Sequence, residues 1–200
     1  MPELPFPHCF LDIETTGFEP GISEIIEICI EDSSGNKFER LIRPAAKMQK
    51  AITDITGITN KMLRGEPVMA DVIEDVYDFI DGKVVIAHNA TFHLNLIAYE
   101  IWRNMGKIAD IPYFCTLNAA RQLILAKSYT LCRLTDQLGY TIKENHRVKD
   151  DVDALKFLMG KILAKFSSKD KLDLDSLEER GFINKHVFND TTAGQKNKSK

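Results

Sequence analysis

The sequence predicts a three-layer α/β domain in which helices flank a mixed five-stranded sheet. Strand-like apolar segments come first, and short apolar segments then alternate with segments of helical periodicity. That order of elements is typical of a sheet covered by helices on both faces. Hydrophobic residues make up 44% of the 200 residues, which is enough to bury a core without disulfide bonds.

The first predicted strand carries the most informative pattern. Residues 9–14 (CFLDIE) alternate, so Asp12 and Glu14 point to one face and Leu11 and Ile13 to the other. An isoleucine-rich segment follows, and a Ser-Ser-Gly-Asn turn then leads into a third strand, which predicts an antiparallel meander. The predicted strands of the meander are residues 9–14, 24–31 and 37–42.

The remaining segments alternate between strands and helices. The predicted strands are residues 83–87 and 113–115, and the predicted helices are residues 59–63, 68–80, 90–105, a helix ending near 125, 130–138 and 150–165. Because the composition turns polar after Phe166, we predict one domain over residues 1–166 and a C-terminal extension over 167–200. The extension is predicted to hold a weak helix at 174–180 and to be disordered at its polar end.

Composition and charge argue against several classes of protein. The net charge of −3 is not the basic excess of a protein that binds nucleic acid by charge alone, but a carboxylate-lined metal site is compatible with it. The four cysteines show neither CxxC nor zinc-finger spacing, which favours a reduced, cytoplasmic setting. We expect no signal peptide, because the N-terminus MPELPFPHCF has neither a basic region nor a long apolar stretch. We expect no membrane partner, because no segment approaches the roughly 18 apolar residues of a membrane helix.

Asp12 and Glu14 form the first candidate site. Their side chains point the same way from a strand whose other residues are mostly apolar. Buried carboxylates are costly unless a cation pairs with them, and hard divalent ions prefer carboxylate oxygens. The alternative is an edge strand with solvated acids, and the pair alone does not decide between the two.

Two further segments place polar groups beside an apolar framework. Asn89 follows a short apolar strand and His93 lies in the first turn of the next helix, where α/β folds often carry site residues. Asp151 lies one turn before Leu155, at the N-terminal end of a buried helix face, and His146 precedes that helix. The alternatives are a helix cap at Asn89, and acids that only favour a helix N-terminus.

Together these segments resemble the DEDDh 3′–5′ exonucleases, in particular the proofreading exonuclease subunit of bacterial DNA polymerase III and its stand-alone relatives. The matching motifs are FLDIETTG (residues 10–17), TDITGIT (53–59), AHNATF (87–92) and a histidine, His146, with Asp151 five residues later. The resemblance covers about residues 6–165. Four motifs in this order are specific, whereas each one alone is weak. The resemblance implies a ribonuclease H-like fold.

The resemblance also implies a chemistry, in which the 3′ end of single-stranded DNA loses nucleoside monophosphates. Two Mg²⁺ or Mn²⁺ ions are expected beside the scissile phosphate. Asp12 would bridge the ions, Glu14 and Asp151 would complete the first ion site, and His146 would act as general base. A DNA polymerase is an implied partner. The residues implied in holding the terminal nucleotide are Thr15, Thr16, Gly17, Ile58 and Asn89.

His93 departs from the family pattern, which has a metal-binding aspartate at this position. A neutral imidazole brings no negative charge, and Mg²⁺ prefers oxygen ligands, so we predict a weak second ion site and weakened Mg²⁺-dependent activity. Softer ions could use the imidazole as a ligand. Three explanations stay open: an altered metal preference, a catalytically impaired module that binds nucleic acid or a polymerase, and an introduced substitution. An RNA-trimming exonuclease of the same fold is a further alternative.

Overall fold

The computed structural model describes residues 4–143, 147–167 and 169–188, which build one mixed sheet with helices on both faces. The strands are β1 (His8–Thr15), β2 (Ile25–Asp32), β3 (Lys37–Leu41), β4 (Val84–Ala87), β5 (Asp110–Cys115) and β6 (Ile183–Val187). The helices are α1 (Lys50–Thr56), α2 (Met69–Ile80), α3 (Ala90–Met105), α4 (Thr116–Leu123), α5 (Leu131–Gln137), α6 (Val148–Leu163) and α7 (Leu174–Glu179).

The order of the strands in the sheet is β3-β2-β1-β4-β5-β6. The β1–β4 and β4–β5 pairs are parallel, whereas β1–β2, β2–β3 and β5–β6 are antiparallel. Because β1 and β4 are parallel neighbours, their C-terminal ends meet at one edge of the sheet. In parallel sheets that edge is the usual place for a site.

Two layers of helices bury the two faces of the sheet. Helices α2 and α3 pack against Leu11 and Ile13 of β1, and α4, α5, α6 and α7 contribute to the core on the opposite face. Asp12 and Glu14 alternate with Leu11 and Ile13 and therefore face α6, as the alternation predicts. Among the described residues, no helix combines the length and apolarity needed to cross a membrane.

The sheet formed by the described residues has six strands, so the prediction of five strands was wrong by one. Strand β6 lies in the predicted C-terminal extension and pairs with β5 along residues 110–114. Just before β6, Phe182 stacks on Phe114 with ring centroids 6.0 Å apart, and α7 coincides with the weak helix predicted at 174–180. Residues 183–187 therefore join the sheet, and Leu177 of α7 and Phe182 pack into the core on one of its faces.

The segment between β3 and α2 also differs from its prediction. A short helix, α1, covers residues 50–56, and the residues predicted as a helix at 59–63 form hydrogen-bonded turns instead. Gly57 ends α1 with a left-handed φ of 71°, a conformation that glycine adopts without steric cost. Within α1, Ile52 and Ile55 are three residues apart and therefore lie on the same side of the helix.

Candidate active site

The acid pair lies where the regular pairing of β1 ends. Asp12 lies opposite Cys29 of β2 and Glu14 opposite Glu27, and the register shifts between Glu14 and Thr15. Asp12 is buried and Glu14 is half-buried. The irregularity after Glu14 turns the chain into the loop of residues 16–24, so both carboxylates lie at the open edge of the sheet.

Helix α6 adds a third carboxylate to this pair. Asp151 lies in the first turn of α6, one turn before the buried Leu155, and is itself buried. Carboxylate oxygens of Asp12, Glu14 and Asp151 lie within 4.8 Å of one another. The structure therefore brings together three of the predicted metal ligands, which come from segments about 140 residues apart in the chain.

The electrostatics of the three acids fit a divalent cation. Burial, and then the neighbouring charges of Asp151 and Glu14, raise the pKa of Asp12 well above its ordinary value. Burial and Asp151 raise the pKa of Glu14 to about 8. Three carboxylates that repel one another in a buried place make a costly arrangement in a metal-free protein. An oxygen-only donor set of this kind suits Mg²⁺ or Mn²⁺.

His93 lies beside this cluster without joining it. Its Nε2 atom lies 2.8 Å from the backbone oxygen of His88 and 3.6 Å from Oδ1 of Asp12. A carbonyl oxygen only accepts hydrogen bonds, so Nε2 must carry a proton, and burial lowers the pKa of the imidazole to about 4. The neutral ring thus presents an N–H group towards Asp12, and its buried Nδ1 lacks a hydrogen-bond partner among the described residues.

A cleft of about 930 Å³ opens beside the acids. Its polar wall includes the three carboxylates together with Thr15, Gly17 and Asn89, which were predicted to hold the terminal nucleotide. Its apolar wall is formed by Phe18, Ile52, Ile55, Phe92 and Leu131. Phe18 is 81% exposed, and its ring centroid lies 5.9 Å from that of Phe92.

Two residues predicted to hold the nucleotide lie elsewhere. Ile58 is fully buried and packs with Ile26, Met48 and Leu63, because the turn at Gly57 directs it into the core. Ile55 of the same segment is 56% exposed on the cleft wall and takes the place that we predicted for Ile58. Thr16 is not part of the cleft wall. Its backbone N–H donates to the backbone oxygen of Glu24, and its hydroxyl accepts from the N–H of Glu24.

Asn89 occupies the N-cap position of α3 with a left-handed φ of 60° and without a side-chain capping bond. The alternative interpretation of Asn89 as a side-chain cap is therefore not what the structure shows, and its side chain lies at the cleft. His146, the predicted general base, lies outside the described residues.

Two polar side chains near the cleft were not predicted from the sequence to belong to the site. His88 donates from Nε2 to the backbone oxygen of Tyr129 at 2.8 Å, and its Nδ1 lies 3.0 Å from the hydroxyl of Thr116. It thereby ties the end of β4 to the start of α4 and to the loop before α5. Glu27 of β2 is 2% exposed and binds Arg147. Its only sequence signal is a single acid inside the apolar run IIEICI.

A cluster of three carboxylates, two buried and one half-buried, lies at the edge of a mixed sheet beside an open cleft and defines a candidate metal centre on a ribonuclease H-like fold. The model of the exonuclease family, RNase_T, matches residues 9–158. The chain belongs to this family.

Relatives with known names support this assignment. The chain is 33% identical over 194 residues to the DNA polymerase III subunit epsilon of Buchnera aphidicola subsp. Schizaphis graminum, covering 90% of this chain and 79% of that protein. It is 34% identical over 174 residues to the PolC-type DNA polymerase III of Thermotoga maritima, covering 81% of this chain. That match spans only 13% of the length of the Thermotoga protein.

A solved structure supports the fold. The structure of Escherichia coli exonuclease I in complex with a dT13 oligonucleotide superimposes with a TM-score of 0.68 at 19% identity. The match covers 80% of this chain and 41% of exonuclease I. At this level of identity the similarity shows the shared fold.

Proposed function

We propose that this protein is a 3′–5′ exonuclease that releases nucleoside monophosphates from the 3′ end of single-stranded DNA, with its Mg²⁺-dependent rate reduced by His93. The observation that carries the proposal is the cluster of Asp12, Glu14 and Asp151 beside an open cleft. The acids that would hold one divalent ion are therefore present in a chain that belongs to a family of exonucleases.

In the proposed hydrolysis, the acids and the histidine would have different roles. Asp12, Glu14 and Asp151 would hold an Mg²⁺ or Mn²⁺ ion at the scissile phosphate. Bound divalent ions supply the charge that stabilises the phosphate in the transition state and lower the pKa of an attacking water. His146 would accept the proton of that water, because an imidazole titrates near neutrality.

His93 is the reason to expect a reduced rate. The nitrogen that faces Asp12 carries a proton and donates to the backbone of His88, so it offers no lone pair to a second ion. The missing carboxylate charge would weaken that ion's site, while the three-acid site would keep its full set of oxygen ligands.

We infer a single-stranded substrate that is held by contacts with base faces more than with base edges. Phe18, Ile55 and Phe92 offer apolar surfaces on which bases of any sequence can stack. Escherichia coli exonuclease I, whose fold is similar, has been solved in complex with a dT13 oligonucleotide, which supports this inference. We therefore expect little sequence preference and faster digestion of DNA than of RNA. Because the relatives are DNA polymerase III proteins, a polymerase is the partner that we propose.

A non-catalytic module that binds nucleic acid or a polymerase is the second candidate, and His93 is the observation that favours it. One experiment separates the two functions. A 5′-labelled single-stranded DNA is digested with Mg²⁺ and, separately, with Mn²⁺, by this protein and by His93→Asp, with an RNA of equal length as competitor. Stepwise shortening from the 3′ end by either protein supports the exonuclease. Binding of the DNA without cleavage by both proteins would replace the proposal with the binding module.

A further inference from the structure

Glu27 is a further carboxylate, itself buried, next to the three-acid cluster. It lies on β2 directly opposite Glu14, and it is 2% exposed. Residues that face each other across an antiparallel pair project from the same face of the sheet. Glu27 therefore points, like Asp12 and Glu14, towards α6, although it is not part of the cleft wall.

The carboxylate of Glu27 binds the N-terminus of α6. Arg147 donates to Oε1 of Glu27 from Nη2 at 2.8 Å and from Nε at 3.2 Å, and the backbone N–H of Val148 donates to Oε2 at 3.4 Å. Arg147 occupies the N-cap position of α6, and its own side chain makes no capping bond there. The first turn of α6 is thus capped by a carboxylate from another strand, a placement that also suits the helix dipole.

The contact leads directly to Asp151. The backbone oxygen of Arg147 accepts hydrogen bonds from the N–H groups of Asp150 and Asp151. The side chain of Arg147 is therefore fixed to β2 while its backbone closes the turn that presents Asp151. One residue connects the strand beside the acid pair to the helix that supplies the third acid.

We propose that Glu27, acting through Arg147, is a positioning residue that holds the carboxylate of Asp151 within reach of those of Asp12 and Glu14. The inference rests on the proposed function, because it concerns the geometry of the same site. Without this contact, α6 would still pack on the sheet through Val152, Leu155 and Leu158. Its first turn, however, would lose the link that places Asp151 within reach of the other two carboxylates.

The same strand and helix provide a matched control. Glu31 of β2 is also buried, and it binds Lys156 of α6 at 2.6 Å. This pair joins the same two elements more than one turn further along α6. A purely structural role for Glu27 predicts that removing either pair has similar effects, whereas a positioning role predicts effects on the site for the Glu27 pair alone.

The variants must separate geometry from charge, because the negative charge of Glu27 also acts on Asp12 and Glu14. The double variant Glu27→Gln/Arg147→Gln removes one charge of each sign and leaves the net charge beside the cluster unchanged. Its control is Glu31→Gln/Lys156→Gln. A third variant, Arg147→Lys, keeps the positive charge but loses the two-pronged guanidinium contact.

Three experiments are made on the full chain: calorimetry for the Mn²⁺ affinity, thermal unfolding for the melting temperature, and steady-state kinetics for kcat and KM on a single-stranded oligonucleotide in the His93→Asp background. We expect Glu27→Gln/Arg147→Gln to weaken Mn²⁺ binding at least tenfold and to lower kcat at least tenfold, with KM changed less than twofold. Arg147→Lys should fall between this variant and the unaltered protein. The control pair should lower the melting temperature to a similar extent while changing Mn²⁺ affinity and kcat less than twofold.

Equal losses of Mn²⁺ affinity in the two double variants would overturn the positioning role. The same conclusion would follow if Glu27→Gln/Arg147→Gln bound Mn²⁺ within twofold of the unaltered protein. The Mn²⁺ titration needs no nuclease activity. If His93→Asp digests nothing but only the Glu27 pair affects Mn²⁺ binding, the positioning role stands and the proposed exonuclease function fails.

Discussion

Replacing His93 with aspartate is expected to destabilise the metal-free protein and to strengthen its binding of a second metal ion. His93 Nε2 lies 3.6 Å from Oδ1 of Asp12, and burial keeps the imidazole neutral. In the metal-free protein, a carboxylate at roughly 5 Å from that of Asp12 adds about 3 kcal/mol of repulsion at an effective dielectric constant of about 20. Partial protonation of the acids relieves some of this repulsion, so we expect the free energy of unfolding to fall by about 2 kcal/mol.

A bound divalent ion makes the new carboxylate stabilising, because the ion attracts each carboxylate with twice the unit charge. At the same distance and dielectric constant, that gross attraction is about 7 kcal/mol, and desolvation of the new carboxylate offsets several kcal/mol of it. A net gain of even about 1.4 kcal/mol raises the affinity for the second ion tenfold. We therefore expect at least tenfold tighter binding of a second Mg²⁺ and a matching gain in kcat.

The assay is thermal unfolding in EDTA and in saturating Mg²⁺, together with calorimetric counting of bound ions. In EDTA the melting temperature of His93→Asp should fall by about 4 to 8 °C, given about 2 to 4 °C per kcal/mol for a domain of this size. In Mg²⁺ it should recover. His93→Asn is the matched control, since it shortens the side chain without adding charge. The reasoning is refuted if His93→Asn gains as much Mg²⁺ affinity as His93→Asp, or if the unaltered protein already binds two Mg²⁺ ions tightly.

Four further outcomes are expected. Burial raises the pKa of Glu14 from 4.5 to about 8, so between these pH values the folded protein holds a proton that the unfolded chain releases. The free energy of unfolding in EDTA should therefore fall as pH rises over this range, with a slope of up to about 1.4 kcal/mol per pH unit. Denaturant titrations at pH 5 and pH 8.5 check this, and stability that rises with pH would contradict it. Asp12→Asn should raise stability in EDTA at pH 8 by about 1 kcal/mol and abolish calorimetric Mn²⁺ binding, since it removes a charge from a crowded cluster. Phe18→Ala should leave the melting temperature unchanged, because the ring is 81% exposed, but raise KM for an oligonucleotide about fivefold, in line with about 1 kcal/mol or more per stacked base; an unchanged KM would remove Phe18 from the substrate path. Phe182→Ala should cost about 3 kcal/mol in denaturant unfolding through loss of its contacts with Phe114 and Phe166, whereas a loss below about 1 kcal/mol would mean that β6 contributes little to the domain.

The parts of the site that the sequence predicts are those encoded by local periodicity. Alternation in β1 places Asp12 and Glu14 on one face, and helical spacing in α6 places Asp151 in line with Leu155. Both patterns survive in the structure because each is set within one element. The three-acid cluster could therefore be predicted once the two elements were known to pack together.

Glu27 could not be found in the same way. Strand β2 is buried on both faces, so its apolar run shows no alternation that would mark one side as special. The partner of Glu27 lies 120 residues away in the sequence, and nothing local to Arg147 indicates that it binds a strand. Strand β6 was not predicted for a related reason. Its sequence INKHV is short and polar, and it forms a strand because it pairs with the otherwise open edge of β5.

The position of the His93 ring helps to decide between two explanations of the departure at this residue, a weakened second ion site and an altered metal preference. To bind a softer ion through Nε2, the ring would have to give up its part-buried hydrogen bond to the backbone oxygen of His88, which costs about 0.5 to 1.5 kcal/mol. That cost lowers the affinity for such an ion by roughly 2- to 13-fold relative to a histidine already turned towards the site. The free lone pair, on Nδ1, belongs to the other side of the ring. A second site adapted to softer metals would be expected to present its imidazole nitrogen unprotonated, so the geometry favours a weakened second site over an altered metal preference.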